Sequence, residues 1–201
     1  EKNQIWIPDN TGSIFLYGAN SLSKVSQGQL PSFSQSIKSI GSIDQILPVN
    51  ALKTYLFSQT QQQLCLIDNT LSMQNKCIDL EEFEVQYAQA CAISSRPELV
   101  YVYDQYNSSL FLIDVKKTTS IQKVDNLEGL LGQNIEVLEM LEHNNNLFIR
   151  TKNNDVFELD MFLNFKKKFS YSYKKLLFFN DYFVDLKNNT LHLNHLKSNR
   201  V

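Results

Sequence analysis

Glycine and proline are scarce in this chain, at 6 and 4 of 201 residues, and tryptophan occurs once, at Trp6. So little glycine and proline excludes collagen-like and low-complexity classes. No apolar run approaches the ~18 residues of a membrane helix, so the sequence predicts no direct membrane insertion. No positively charged start leads into a short apolar stretch. The chain opens on Glu1 rather than methionine, as it would after a leader were cut away. Neither sign of charge dominates: 19 Lys+Arg against 21 Asp+Glu give a net charge of −2, which argues against a nucleic-acid partner.

Catalytic and cofactor motifs are also missing. No G-x-S-x-G, P-loop, G-x-G-x-x-G, H-E-x-x-H or C-x-x-C is present. The three cysteines, Cys65, Cys77 and Cys91, match no zinc spacing. Cys65 and Cys91 lie in apolar runs and read as small buried hydrophobes. A two-residue turn at Asn69-Thr70 would pair Asp68 with Leu71 and set Cys65 opposite Gln74, which predicts three free thiols. The histidines are His143, His192 and His195. On a strand, His192 and His195 point to opposite faces, so they do not form a metal pair. His143, before Asn144-Asn145-Asn146, reads as a loop histidine. The sequence therefore predicts no catalytic, cofactor-binding or metal-ligating residue, and no cofactor.

Phenylalanine and tyrosine are plentiful, at 13 and 9, and both favour strands. One pattern occurs five times: an apolar run, a polar turn, a second apolar run. It spans residues 5–17, 55–68, 100–114, 147–160 and 182–194. Aligning the ends of the second runs puts Gly18, Asp68, Asp114, Asp160 and Asn194 in one column, with steps of 50, 46, 46 and 34 residues. Aspartates at such strand ends cap turns through neighbouring backbone.

A further apolar run precedes four of these hairpins, at 43–49, 87–94, 135–141 and 175–179. A weaker run follows four, at 21–26, 72–78, 119–124 and 164–170. Four short strands per unit at this period point to propeller blades. The middle strands, such as Leu64-Cys65-Leu66-Ile67 and Leu110-Phe111-Leu112-Ile113, are apolar on both faces, as stacked blades require. A two-sheet sandwich is the alternative for such runs. Trp6, Tyr101 and Tyr103 read as core or blade-interface aromatics.

The predicted fold is all-β: a single small β-propeller domain over residues 1–201, with about five blades of up to four antiparallel strands. The blades fall at about 1–30, 40–80, 85–128, 134–170 and 171–201. The first unit lacks an inner strand and the last has only a weak outer one. Ring closure is therefore expected to bring residues 1–8 and 175–201 into neighbouring or shared sheets. Between units, Asp79-Leu80-Glu81-Glu82 and Asp125-Asn126-Leu127-Glu128 each follow a column aspartate by 11 residues. Each places an acidic cap three residues before a glutamate, which predicts a short helical turn. Glu136–His143 is compatible with helix or strand. Asn107-Ser108-Ser109 and Asn188-Asn189-Thr190 match glycosylation sequons and fall in predicted turns.

Charge is distributed unevenly. Residues 1–145 carry a net −7 and residues 146–201 a net +5. This asymmetry predicts polarised docking surfaces: a basic one at Lys166, Lys167 and Lys168, and an acidic sector of Glu81, Glu82 and Glu84 together with Glu136 and Glu139.

The stretches IDQILPVNALKTYLFSQTQQQLCLIDNTLS (43–72) and ELVYVYDQYNSSLFLID (98–114) resemble small secreted β-propeller proteins of Bacteroidetes. Pro48-Val49-Asn50 departs from the family's Asn-Pro order, and Val102 stands where the family has tryptophan. The resemblance implies export with a cleaved signal peptide, to the periplasm or the outer-membrane side of the cell envelope. It also implies protein transport as a setting, for instance as a plug or accessory subunit of the type 9 secretion translocon. The expected function is thus a non-enzymatic interaction or scaffold subunit whose partner is another envelope protein, associated with the outer membrane. The alternative is a propeller that binds a small molecule or glycan at its central channel, for which Asp44, Gln45, Gln89, Glu136 and Glu139 are the available polar groups.

Overall fold

The computed structural model describes residues 5–8, 12–18, 21–25, 33–132, 135–169, 175–187 and 190–197, without the side chains of Ile5, Trp6, Leu186 and Lys187. The chain divides into two compact units, residues 1–87 and 88–201. The division falls between sheets, so each unit carries whole sheets.

The first unit holds two four-stranded antiparallel meanders. One runs β1 (Ile5–Pro8), β2 (Ile14–Gly18), β3 (Ser21–Val25) and β4 (Phe33–Ser36). The other runs β5 (Gln45–Asn50), β6 (Lys53–Ser58), β7 (Gln63–Asp68) and β8 (Met73–Asp79). Phe15, Leu22, Ile46, Leu56 and Ile67 form their shared core, which a 3-10 turn at Lys38–Ile40 joins through Ile40. β4 extends the first blade to residue 36, beyond the expected 30, and puts the IWIP run first in its meander rather than second. The sequence hid β4 because Phe33-Ser34-Gln35-Ser36 has no apolar run and is exposed throughout.

The second unit holds three sheets. β9 (Ala88–Ile93), β10 (Leu99–Asp104), β11 (Ser109–Asp114) and β12 (Thr119–Val124) form one. β13 (Val137–His143), β14 (Asn146–Thr151), β15 (Val156–Asp160) and β16 (Phe165–Lys168) form the next. β17 (Phe178–Phe179), β18 (Tyr182–Lys187) and β19 (Thr190–His195) form the last. The ambiguous Glu136–His143 stretch is thus mostly strand.

Burial peaks in the middle strands, as runs apolar on both faces imply, and β5 and β13 are less buried than β6 and β14. β11 is buried at every position, whereas β12 is mostly exposed. Tyr101 and Tyr103 sit fully buried in a core with Leu112, Met140, Ile149 and Phe157. Phe148, Phe169, Leu176 and Phe183 form a second core in this unit. The strands of the two terminal segments belong to different sheets, so the shared-sheet form of closure is not present among the described residues.

The turns explain the aspartate column. Asp68 Oδ1 accepts from the backbone N–H of Thr70 at 2.8 Å and of Ser72 at 3.0 Å. Asp160 Oδ1 accepts from Phe162 N at 2.8 Å and Asn164 N at 2.9 Å. Asp114 Oδ1 does the same for Lys116 and Lys117 at 3.0 Å. The first two turns match residue for residue. Each puts a buried leucine, Leu71 or Leu163, at a left-handed φ of 65° or 64°. Burial of an apolar side chain offsets the strain of that conformation.

This turn overturns the free-thiol expectation. It is longer than two residues, so Ile67 pairs with Met73 and Leu66 with Gln74. A bulge then shifts the register, and Leu64 pairs with Ile78. Asn75, at φ 63°, lies inside that bulge. The extra residues bring Cys77 beside Cys65, and the two form a disulfide with Cα atoms 4.3 Å apart. Cys91 is buried and forms no disulfide.

Both predicted helical turns form, with one change of cap. Leu80–Phe83 is a 3-10 turn, and Asp79 accepts from Glu81 N at 3.0 Å. α1 (Leu127–Leu131) is capped by Asn126, not Asp125: Asn126 Oδ1 accepts from Gly129 N at 3.0 Å. Asp125 instead pairs with Lys123 at 2.9 Å. Glu128 accepts from Ile135 N at 3.2 Å and so ties the turn to the next strand.

Candidate docking surfaces

The basic run lies on β16, the outer strand of its sheet. Each lysine has a partner in its own unit. Lys166 Nζ lies 2.6 Å from Glu158 Oε1 and 3.0 Å from Asn146 Oδ1. Lys167 Nζ donates to the Leu196 carbonyl at 2.6 Å, lies 3.6 Å from Glu158 Oε2 and sits 4.5 Å above the Phe169 ring. Lys168 Nζ pairs with Asp155 at 3.0 Å.

Register is the cause. Glu158 stands directly opposite Lys167 across β15 and β16 and is 5% exposed. A buried carboxylate needs such partners, because an uncompensated charge there is costly. The run therefore clamps an internal acid while its lysines stay partly exposed. Glu158 was not singled out from the sequence, although a lone acid inside the apolar run Val156–Leu159 is a readable signal.

Glu136 and Glu139 are engaged as well. Glu136 pairs with Lys152 at 2.8 Å. Glu139 pairs with Arg150 at 2.9 Å and accepts from Leu176 N at 3.1 Å. Asp44 accepts from Gln59 N at 2.7 Å. These three groups, named above for a ligand-binding channel, are committed to local hydrogen bonds. Among the described residues no cluster of three or more metal-type ligands occurs.

The acidic turn differs. Glu81, Glu82 and Glu84 are exposed, and no ion pair among the described residues involves them. Their backbone is held firmly. Asp79 caps the turn, Glu84 N donates to Glu81 O at 3.0 Å, and Leu80 N donates to Gln62 O at 3.0 Å. Leu80, Phe83 and Val85 anchor the segment from below. Glu84 takes a left-handed φ of 65° at the end of the turn. Glu81 and Glu84 line a shallow depression with Val85 and Gln86.

Other polar groups are structural. Glu142 accepts from Ser94 Oγ at 2.8 Å and from Ser95 N at 3.0 Å, tying the β9–β10 turn to β13. Burial pushes its carboxyl up, but the Ser95 and Ser94 hydrogen bonds outweigh it and leave the group below its ordinary value. The Thr70 hydroxyl and the turn N–H groups likewise hold Asp68 low. At Asp160 burial opposes the same effect from Asn164 and the turn, and the hydrogen bonds win.

His143 ends β13 rather than lying in a loop. Its ring stacks on Phe178 with centroids 4.4 Å apart, and Nε2 lies 2.6 Å from the Asn180 carbonyl. His192 and His195 face Asp185 and Tyr182 respectively, three residues apart on a strand and so on opposite faces. In the first sequon, the Asn107 amide donates to Asp104 at 2.9 Å. Asn188 and Asn189 of the second, and the side chain of Trp6, lie outside what the structure describes.

No protein-family model and no curated protein matches the chain. Solved structures do. The WD40 domain of Neurospora crassa Pan2 aligns with a TM-score of 0.64 at 15% identity, over 94% of this chain and 59% of that one. Sqt1 of Saccharomyces cerevisiae aligns at 0.53 and 14% identity, over 94% and 52%. Apo AztD of Citrobacter koseri aligns at 0.52 and 14% identity, over 81% and 45%. The chain thus spans between 45% and 59% of the length of these structures. Together with its five antiparallel sheets, the likeness shows that the chain has the β-propeller fold.

Proposed function

We propose that this protein is a non-enzymatic interaction subunit that docks a basic partner on its acidic turn, Glu81-Glu82-Glu84. One observation carries the reading. These three carboxylates are exposed on a capped, anchored turn with no ion pair among the described residues, whereas Lys166 and Lys167 pair with the buried Glu158 and Lys168 with Asp155. Unpaired charge on a held backbone attracts a partner of opposite charge and spares the cost of ordering the turn. The partner surface is accordingly rich in lysine or arginine.

The setting we propose is the cell envelope, in the periplasm or on the outer-membrane side, in an accessory or plug role beside an outer-membrane protein translocon. The Cys65–Cys77 disulfide supports an oxidising compartment of this kind. The test is affinity purification of the tagged protein from its native source, with mass spectrometry of what accompanies it. Wild type should recover an envelope protein with a basic surface, and Glu81→Gln/Glu82→Gln/Glu84→Gln should lose it. Equal recovery by both would refute the reading.

A further inference from the structure

Three side chains that can react with one another meet on the sheet of β13 to β16. Lys166 Nζ donates to Asn146 Oδ1 at 3.0 Å and lies 2.6 Å from Glu158 Oε1. Asn146 opens β14 and Lys166 lies on β16, so their contact spans the intervening strand, β15. Glu158 is buried in that strand, directly opposite the fully buried Phe148 of β14. Asn146, two residues before Phe148, is its diagonal neighbour on the same face.

Local geometry fixes each group. The register shifts between the Glu158–Lys167 and Leu159–Phe165 pairs, so Lys166 is the extra residue of a bulge. A bulge re-aims a side chain, and here two consecutive lysines reach one carboxylate. Asn146 Nδ2 donates to the Asn144 carbonyl at 3.0 Å, which leaves Oδ1 facing the Lys166 amine. Lysine becomes a nucleophile when an adjacent base takes its proton, and a carboxamide carbon held beside it is the electrophile.

We propose that Lys166 and Asn146 join in an intramolecular isopeptide bond, with Glu158 as the proton carrier. Lys166 passes a proton to Glu158 across their contact. The freed Nζ lone pair attacks Cγ of Asn146. Glu158 hands its proton to Nδ2 and accepts a second one from Nζ. The Cγ–Nδ2 bond breaks and ammonia leaves, taking the last proton from Glu158 as ammonium. An ammonium and a carboxamide thus become a secondary amide and an ammonium ion, with no other reactant. The Lys166 side chain is 44% exposed, which gives the ammonia a route to solvent. Lys167, 3.6 Å from Glu158 Oε2, remains as the cation beside the buried carboxylate.

The same sheet carries a counterpart that cannot react. Arg150 donates to Glu139 at 2.9 Å and to Asn154 at 3.3 Å, again a cation, a carboxylate and a carboxamide. A guanidinium keeps its proton, so that set stays a hydrogen-bond network. The reactive set is independent of the acidic turn, which lies in the other unit.

The test is the intact mass of the reduced, denatured chain, followed by a peptide map. Wild type should be lighter than its sequence requires by one ammonia, with Asn146 and Lys166 recovered in one branched peptide. A succinimide also loses ammonia but leaves the two peptides apart. Lys166→Arg keeps a cation beside Glu158 and cannot attack, and Asn146→Ala removes the carbon that is attacked. Both should fold, as checked by circular dichroism, and show the full mass. Should either fail to fold, the other decides. Glu158→Gln removes the proton carrier and should also lose the branched peptide. Wild type at the full mass, or a branched peptide that persists in either Lys166→Arg or Asn146→Ala, would overturn the proposal.

Discussion

Lys166 lies 2.6 Å from Glu158, a carboxylate that is 5% exposed in the middle of β15. The basic run is therefore part of the stability of its sheet. Replacing Lys166 and Lys167 by methionine keeps their stems but leaves Glu158 without its cations. We expect a loss of about 1.5–3 kcal/mol, the range for hydrogen bonds to charged groups. Denaturant unfolding checks it, and reversing all three lysines to glutamate should cost more. An unchanged midpoint would show that Glu158 does not depend on them.

Thiol titration under denaturing, non-reducing conditions should find one thiol per chain, Cys91, and reduction should raise the count to three. Reduction should also lower stability by about 2–4 kcal/mol, the usual worth of a disulfide. Burial pushes the Cys91 thiol up, so it should stay unreactive in the folded protein. Three thiols before reduction would contradict the pairing.

Glu142 predicts a pH dependence. Its carboxyl sits below the ordinary value of 4.5 in the folded chain. A depressed acid contributes stability that is fully present above the unfolded value and is lost as pH falls through the folded one. Glu142→Gln should therefore destabilise the protein by about 1 kcal/mol at neutral pH, given hydrogen bonds to a half-buried charge. The gap from wild type should close below the ordinary glutamate range. Unfolding curves from pH 7 to 3 check this, and a gap independent of pH would contradict it.

Asp68→Ala and Asp160→Ala each remove an acceptor that serves two turn N–H groups. By analogy with helix caps, each should cost about 0.5–2 kcal/mol. The two substitutions lie in different units and should be additive. Thermal unfolding of the single and double variants checks both statements.

The fold was legible because its signal is repeated. Apolar runs such as Leu110–Ile113 and the aspartates at a fixed step name strands and turns together, and the turn hydrogen bonds follow from aspartate chemistry alone. What depended on register was not legible. The bulge at Asn75 decides whether Cys77 meets Cys65, and no residue type announces a bulge. β4 escaped because an outer strand needs no apolar residue. The docking surfaces were readable as charge and not as availability. Glu81 and Lys166 are both charged residues near strand ends, and only cross-strand pairing reveals that Lys166 is engaged.

The most direct test of the docking claim is the association rate between the purified protein and the partner recovered with it. Rim charges act chiefly on that rate and its salt dependence. Glu81→Gln/Glu82→Gln/Glu84→Gln should slow association about tenfold at low salt, with the gap from wild type closing as salt screens it. The fold, followed by circular dichroism, should be unchanged. Association at the wild-type rate across the salt series would contradict docking through the acidic turn.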